Sequence, residues 1–317
     1  MRTPAHCSSI FLLGLLLGLA VAGGCQPSAE SPASEERTDS GLSLQDSVLT
    51  PPDTTATRFD AAMAAALSHR EDTESIGALM QNIGLQFRGQ PYLTGTLDAP
   101  STETVVVRFD GFDCVTFVET TLALARSAQV ADSSYAGFVR RLAEQRYRDG
   151  GPVGYCNRLH YFTEWLSDNE DRGLVRRLGE ALGGRPLRDT LDFMSTHRSA
   201  YERFATNDSL FACIQKMEAR LNVQQRRDPV RYVPQDSIRA VYDDLRAGDI
   251  VAFVSSVDGL DVAHTGLVYA PRDEADTIGL LHASLSDGVV VSPDLQRYVQ
   301  KIDAQIGMVV ARPRPVP

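Results

Sequence analysis

From Asp60 onward, apolar residues recur at spacings of three and four, the period of a helix with one buried face. This predicts helices over Asp60–His69 and Glu74–Phe87, and a further one over Cys114–Ala125 with Val115, Val118 and Leu122 on one side. Tyr135–Tyr147, His160–Leu166, Arg172–Leu182 and Leu210–Leu221 read the same way. Thr104–Phe109 (TVVVRF) reads as a short strand or an extended entry to the third helix. Beyond Ala247 the pattern changes to β-rich runs separated by turn residues: Asp249–Val254, His264–Tyr269, Ile278–Ser284, Gly288–Ser292 and Ile306–Ala311. Helices first and a run of strands afterwards predict an α+β domain.

The segment before this body follows other rules. Arg2 precedes an apolar run, Ile10–Ala22, and then Gly23-Gly24-Cys25. A positive start, a short apolar core and small residues at its end read as a secretory signal over residues 1–24. The run is too short for a comfortable permanent span, which takes ~20 apolar residues. Ala22-Gly23-Gly24-Cys25 resembles a bacterial lipobox, in which Cys25 becomes the lipidated first residue; a cleaved signal with a chance cysteine is the plainer alternative. Residues 25–57 are rich in Ser, Pro, Thr, Asp and Glu and read as a flexible stalk, leaving 58–317 as one catalytic domain. The chain is thereby expected in the bacterial cell envelope, held at a membrane by its lipid.

Charge and cysteine content narrow the classes. Lys and Arg total 31 against 41 Asp and Glu, a formal net charge of -10, and no basic block is present. Phosphate contacts need a basic surface, so a nucleic-acid partner is not expected. Five cysteines in 317 residues are too few for a disulfide scaffold. No coiled-coil or dimer pattern occurs, and a monomer is expected.

The candidate chemistry gathers on one cysteine and two histidines. Asp110-Gly111 marks a turn and Asp113 is a suitable N-cap, which puts Cys114 in the first helical turn. There the free backbone N–H groups and the macrodipole favour a thiolate. His264 opens an apolar strand after the polar turn Asp258–Asp261, and His282 sits on the next strand, placed to orient it. A nucleophilic thiol needs a base, and the base needs a third group to fix its tautomer. The plainer readings stay open at this level: a buried small hydrophobe at Cys114, and two satisfied core histidines. No HExxH or close ligand spacing suggests a metal, and no cofactor is expected.

Several blocks in order resemble a known family. DCVTFVE at Asp113–Glu119, AGDIVAF at Ala247–Phe253, HTGLVY at His264–Tyr269 and LLHAS at Leu280–Ser284 resemble the NlpC/P60 cell-wall peptidases. YCNRLHYFTEW at Tyr155–Trp165, LDFMSTH at Leu191–His197 and GLDVAHTGL at Gly259–Leu267 narrow this to the DUF1460 branch, which is N-acetylmuramoyl-L-alanine amidase-like. With YLTGTLD at Tyr92–Asp98, the resemblance covers nearly everything from about residue 75 to the end. The resemblance implies a papain-like fold, with the cysteine helix packed on a small antiparallel sheet. It implies Cys114 as nucleophile, His264 as base and acid, and His282 as the polar third member. Asp113 fits the family's Asp-Cys pair as an architectural cap. Cys156 departs from the family pattern, and whether it is free or paired with Cys213 is open.

The implied reaction is hydrolysis of the bond between N-acetylmuramic acid and L-alanine in peptidoglycan or muropeptides. The γ-D-glutamyl-diamino acid bond is the near competitor, and a non-catalytic wall-binding lipoprotein is the alternative of another class. Tyr155, Arg158, His160 and Tyr161 are candidates for substrate binding, Arg158 because a guanidinium grips carboxylates in pairs of hydrogen bonds. The alternative is a structural arginine with aromatics turned into the core.

Overall fold

The computed structural model describes residues 44, 46–71, 73–271 and 277–317. The expected signal, the lipidation site Cys25 and most of the stalk lie outside the described residues. The helical part comprises α1 (Asp46–Leu49), α2 (Asp53–Arg70), α3 (Ile76–Gln86), α4 (Cys114–Gln129), α5 (Tyr135–Arg146) and α6 (Phe162–Asp171). Then come β1 (Val175–Arg177), β2 (Arg185–Pro186), α7 (Phe193–Thr196), α8 (Glu202–Ala205) and α9 (Asp208–Arg227). The last third holds β3 (Arg231–Pro234), a 3-10 segment (Gln235–Asp244), β4 (Ile250–Ser255), β5 (Val262–Tyr269), β6 (Gly279–Ser284), β7 (Gly288–Ser292), α10 (Leu295–Gln300) and β8 (Gln305–Pro313). The α+β class expected from the pattern is the one observed.

The strands form one antiparallel sheet in the order β2-β3-β8-β4-β5-β6-β7, with β1 also pairing β8. Side chains alternate between its faces. Ile250, Ala252 and Val254 of β4 join the core shared with α3 and α4, where Phe117, Val118 and Leu122 are buried. Val251 and Phe253 face the other way, onto Ile238, Val241, Leu295 and Val299. Both faces of β4 are covered, which explains its unbroken apolar run.

Two expectations are corrected and one is narrowed. Arg172–Leu182 is not a helix: α6 ends at Asp171, and Gly173 (φ +77°) turns the chain into β1. Thr104–Phe109 forms no strand and joins no ladder, which leaves the reading as an entry to α4; Arg146 donates to its Val106 carbonyl and Tyr147 to that of Thr104. The folded body also begins before residue 58. α2 starts at Asp53, and Leu44, Val48 and Leu49 already pack on the core, so the end of the expected stalk belongs to the fold.

Candidate active site

Asp113 and Thr116 form a reciprocal capping box at the head of α4. The Thr116 N–H donates to Asp113 Oδ1 at 2.7 Å, and the Asp113 N–H donates to Thr116 Oγ1 at 3.0 Å. This fixes Cys114 at the first helical position, and makes Asp113 the architectural cap the sequence suggests. Packing of α4 against β5 brings that end of the helix to the sheet.

The β5 backbone completes the thiol's surroundings. Val268 exchanges hydrogen bonds with the β4 side, its N–H donating to the Asp249 carbonyl and its carbonyl accepting from Gly248. By the alternation of an antiparallel strand, Thr265 then points its N–H the other way, where pairing with β6 covers only Leu267–Tyr269. That N–H donates to the Cys114 sulfur. A second donor is the hydroxyl of Tyr92, which in turn accepts from the Cys114 N–H. Tyr92 is held there by a parallel bridge to Phe112 and by the Leu93 N–H donating to the Phe112 carbonyl at 3.0 Å.

His264 and His282 face each other across β5 and β6. His264 Nε2 lies 2.8 Å from His282 Nδ1, and His282 Nε2 lies 3.2 Å from Ser292 Oγ on β7. Two tautomer assignments use both contacts, because the Ser292 hydroxyl can donate or accept. In the one that leaves His264 able to act as a base, His264 Nε2–H donates to His282 Nδ1, and His282 Nε2–H donates to Ser292. His264 Nδ1 makes no hydrogen bond among the described residues, and in this assignment it keeps a lone pair able to take a proton. Gly266 permits the close approach. A Cβ there would stand 2.9 Å from His282 Cβ, from Leu280 Cδ1 and from the Leu281 carbonyl oxygen. Tyr298 of α10 closes the group, its ring centroid 4.7 Å from that of His282 and 6.0 Å from that of His264.

Burial sets the charge states. It pushes the Cys114 thiol up to about 12, with the Asp113 carboxylate adding to the rise and the Thr265 and Tyr92 donors opposing it. The helix start does favour a thiolate, but it is outweighed here. His264 is pushed down to about 3 by burial and then by His282; His282 is pushed down to about 4 by burial, against the pull of Asp287. These shifts favour the uncharged forms, a thiol at Cys114 and neutral imidazoles at His264 and His282.

The expected substrate-binding residues lie apart from this chain of contacts and are engaged internally. The Arg158 side chain is 6% exposed; it pairs with Asp98 and Glu103 and donates to the Leu97 carbonyl at 2.9 Å. The carboxylates it grips belong to the protein. Tyr155 is buried with the Arg158 and Arg203 guanidinium groups 4.8 and 5.1 Å from its ring, and its carbonyl oxygen lies 2.7 Å from His160 Nε2. The Tyr161 hydroxyl donates to Glu218 Oε1 at 2.8 Å and accepts from the Met194 N–H. Each of the four makes its contacts within the protein. Cys156 is bonded to Cys213, which ties this cluster to α9.

Sequence reasoning missed Tyr92, Ser292 and Tyr298 as site residues. Tyr92 stands at an isolated bridge with no periodicity to flag it, 22 positions before the thiol. Tyr298 had a usable signal, since Asp294 is an N-cap residue and accepts from the Arg297 N–H.

A helix-borne thiol beside a strand-borne imidazole pair defines a candidate nucleophilic hydrolase of the α+β class. The comparisons say which. Residues 82–308 match the model of the AmiA-like family, described as N-acetylmuramoyl-L-alanine amidase-like, and the chain belongs to that family. An N-acetylmuramoyl-L-alanine amidase of Bacteroides uniformis is similar at 28% identity, covering 80% of this chain and 99% of its own, with a TM-score of 0.67. A candidate xylanase of Bacteroides fragilis is 32% identical over 72% of this chain and 98% of its own, with a TM-score of 0.64. A Legionella pneumophila protein of family DUF1460 shares the fold at 20% identity, covering 83% of this chain and 98% of its own, with a TM-score of 0.58. Among curated proteins nothing matches.

Proposed function

We propose that this protein is a cysteine-dependent amidase of the bacterial envelope. On this reading it is papain-like, of the NlpC/P60 superfamily, and cleaves the bond joining N-acetylmuramic acid to L-alanine. The observation that carries the reading is the relay of short contacts from Ser292 through His282 to His264, beside a thiol fixed at a helix start. The family description and the B. uniformis neighbour support the choice of bond.

Both partners are neutral at rest, so the thiol proton moves to His264 Nδ1 as sulfur attacks, and not before. The S–C bond forms and the carbonyl oxygen gains charge. His264 then gives its proton to the departing alanine nitrogen as the C–N bond breaks. His282 accepts from His264 Nε2–H throughout and steadies the imidazolium. Water that passes a proton to His264 attacks the thioester, releasing the muramic acid carboxylate and the free thiol.

Glycoside hydrolysis, which the B. fragilis description suggests, is less well supported. It uses two carboxyl groups about 5 to 9.5 Å apart across the bond. The carboxyl group beside Cys114 is Asp113, whose Oδ1 is taken up by the Thr116 cap. The Cys156–Cys213 disulfide suits an oxidising compartment and so supports export; a Cys25 lipid anchor is the expected tether.

Defined muropeptides incubated with the protein and resolved by mass spectrometry test the reading. A free stem peptide beginning at L-alanine is the expected product, absent with Cys114→Ala. A product beginning at the diamino acid would replace the amidase by the endopeptidase. No cleavage, or cleavage undiminished in Cys114→Ala, would overturn cysteine catalysis.

A further inference from the structure

α10 is six residues long yet firmly held. Asp294 caps it and pairs with Arg239, the Tyr242 hydroxyl accepts from the Gln296 N–H at 2.8 Å, and Gln235 donates to the Val299 carbonyl at 3.1 Å. The side chain so placed is Tyr298. Its ring meets His282 edge-on at 66°, and lies 5.5 Å from Phe253, which itself stacks beside His264. The imidazole pair is thus walled by an aromatic residue from outside the strands that carry it.

The distinctive feature of Tyr298 is where its hydroxyl stands, on a ring packed against both imidazoles. Buried tyrosine hydroxyls ordinarily find an acceptor, as those of Tyr147, Tyr161 and Tyr242 do in Glu103, Glu218 and Asp294, whereas that of Tyr155, which lies apart from the imidazole pair, has none among the described residues. That of Tyr298 makes no hydrogen bond among the described residues, although the residue is half-buried and stands within electrostatic reach of the Cys114 sulfur. We infer that Tyr298 is a further catalytic residue, its ring holding the imidazole pair and its hydroxyl donating to the carbonyl oxygen of the acyl group as Cys114 attacks. Burial pushes the phenol up and the sulfur adds to this, so it stays protonated, as a donor must. No atom is exchanged; the O–H bond dipole meets the charge that develops on oxygen. The other donor at hand, the Cys114 N–H, is engaged with the Tyr92 hydroxyl at rest, which leaves a second donor room to matter. The inference rests on Cys114 being the nucleophile.

Tyr298→Phe keeps the ring and removes only the donor. The expected result is a fall in kcat of roughly a hundredfold on the muropeptide that the wild type cleaves, the size of losing one oxyanion donor. KM and melting temperature should stay unchanged, as should the rate and pH profile of Cys114 alkylation by iodoacetamide. Tyr298→Ala removes the wall as well, and should also shift the alkylation profile. Wild-type turnover by Tyr298→Phe would overturn the inference. So would an alkylation rate that falls in step with turnover, because the hydroxyl would then act on the thiol and not on the substrate. Failure of the underlying reading shows elsewhere, as cleavage retained by Cys114→Ala.

Discussion

Gly266→Ala is the sharpest way to ask whether the His264–His282 contact matters. The added methyl would sit 2.9 Å from His282 Cβ, Leu280 Cδ1 and the Leu281 carbonyl oxygen, where ordinary contact begins at 3.4 Å. One of these atoms is backbone, so a rotamer change cannot relieve the clash, and β6 must retreat from β5 by about half an ångström. Overpacking of this kind costs about 1–3 kcal/mol, or roughly 2 to 12 °C of melting temperature in a body of this size. The same retreat lengthens the 2.8 Å His264–His282 hydrogen bond. Since ~1 Å of misplacement costs about a hundredfold in rate, a loss of roughly tenfold in kcat is expected. Gly307→Ala is the control. It overpacks β8 against the Val233 carbonyl, on the opposite side of β4 from the imidazole pair, and should destabilise without lowering turnover of the folded fraction. Melting curves and turnover measured on both variants decide the matter. Full activity in Gly266→Ala, or an equal loss in Gly307→Ala, would refute the argument.

Two further perturbations probe what holds the site. Arg146 donates from Nε to Glu119 Oε2 at 2.7 Å, with Nη2 also 2.7 Å from that oxygen, joining α5 to α4 with both side chains 2% exposed. Burial pushes the Glu119 carboxyl up even against that arginine, and Glu119→Ala leaves a lone buried guanidinium; a loss of about 3–5 kcal/mol in denaturant unfolding is expected, and a loss under 1 kcal/mol would show the pair unimportant. The second concerns pH. His282, 1% exposed, titrates near 4 when folded and near 6.5 when unfolded, so between these values the unfolded chain binds more protons and stability rises with pH. The 2.5-unit difference is worth about 3 kcal/mol, present above pH 6.5 and lost as pH falls toward 4. His282→Gln should flatten the slope of stability against pH in that window, and an unchanged slope would contradict the assignment.

Patterning made most of the fold legible because helix and strand periods survive wherever an element has one buried face. α3, α4, α5 and α9, and the strands from β4 to β8, lie within a few residues of their predicted spans. What failed had no period. β2 and β3 are two and four residues long, and the Arg172–Leu182 run held helix formers whose order was broken by a left-handed Gly173. At the site, Cys114, His264 and His282 stood out because chemistry restricts which residue types can serve, and the fold brings the two imidazoles into contact. Arg158 left two readings open for a physical reason: a guanidinium suited to a substrate carboxylate is equally suited to Asp98 and Glu103, and only the fold shows that it meets these two. Tyr92 and Tyr298 come to the thiol through tertiary contacts that local spacing does not encode.

The site follows from one irregularity of the sheet. β5 pairs with β4 over Val262–Leu267, but with β6 only over Leu267–Tyr269, while β6 continues along β7 to Ser284. The two strands therefore part at Leu267, and the Thr265 N–H loses its ladder partner. A buried N–H without an acceptor is costly; here the Cys114 sulfur supplies one, so the fork and the thiol answer each other's need. The same fork lets His264 and His282, on strands that no longer pair at these residues, meet through their rings, with Gly266 keeping the backbones close at the junction. Closing the fork would pair Thr265 with β6 and take its N–H from the sulfur. The unpaired stretch of β5 is thus the structural condition for the thiol and the imidazole pair to share one site.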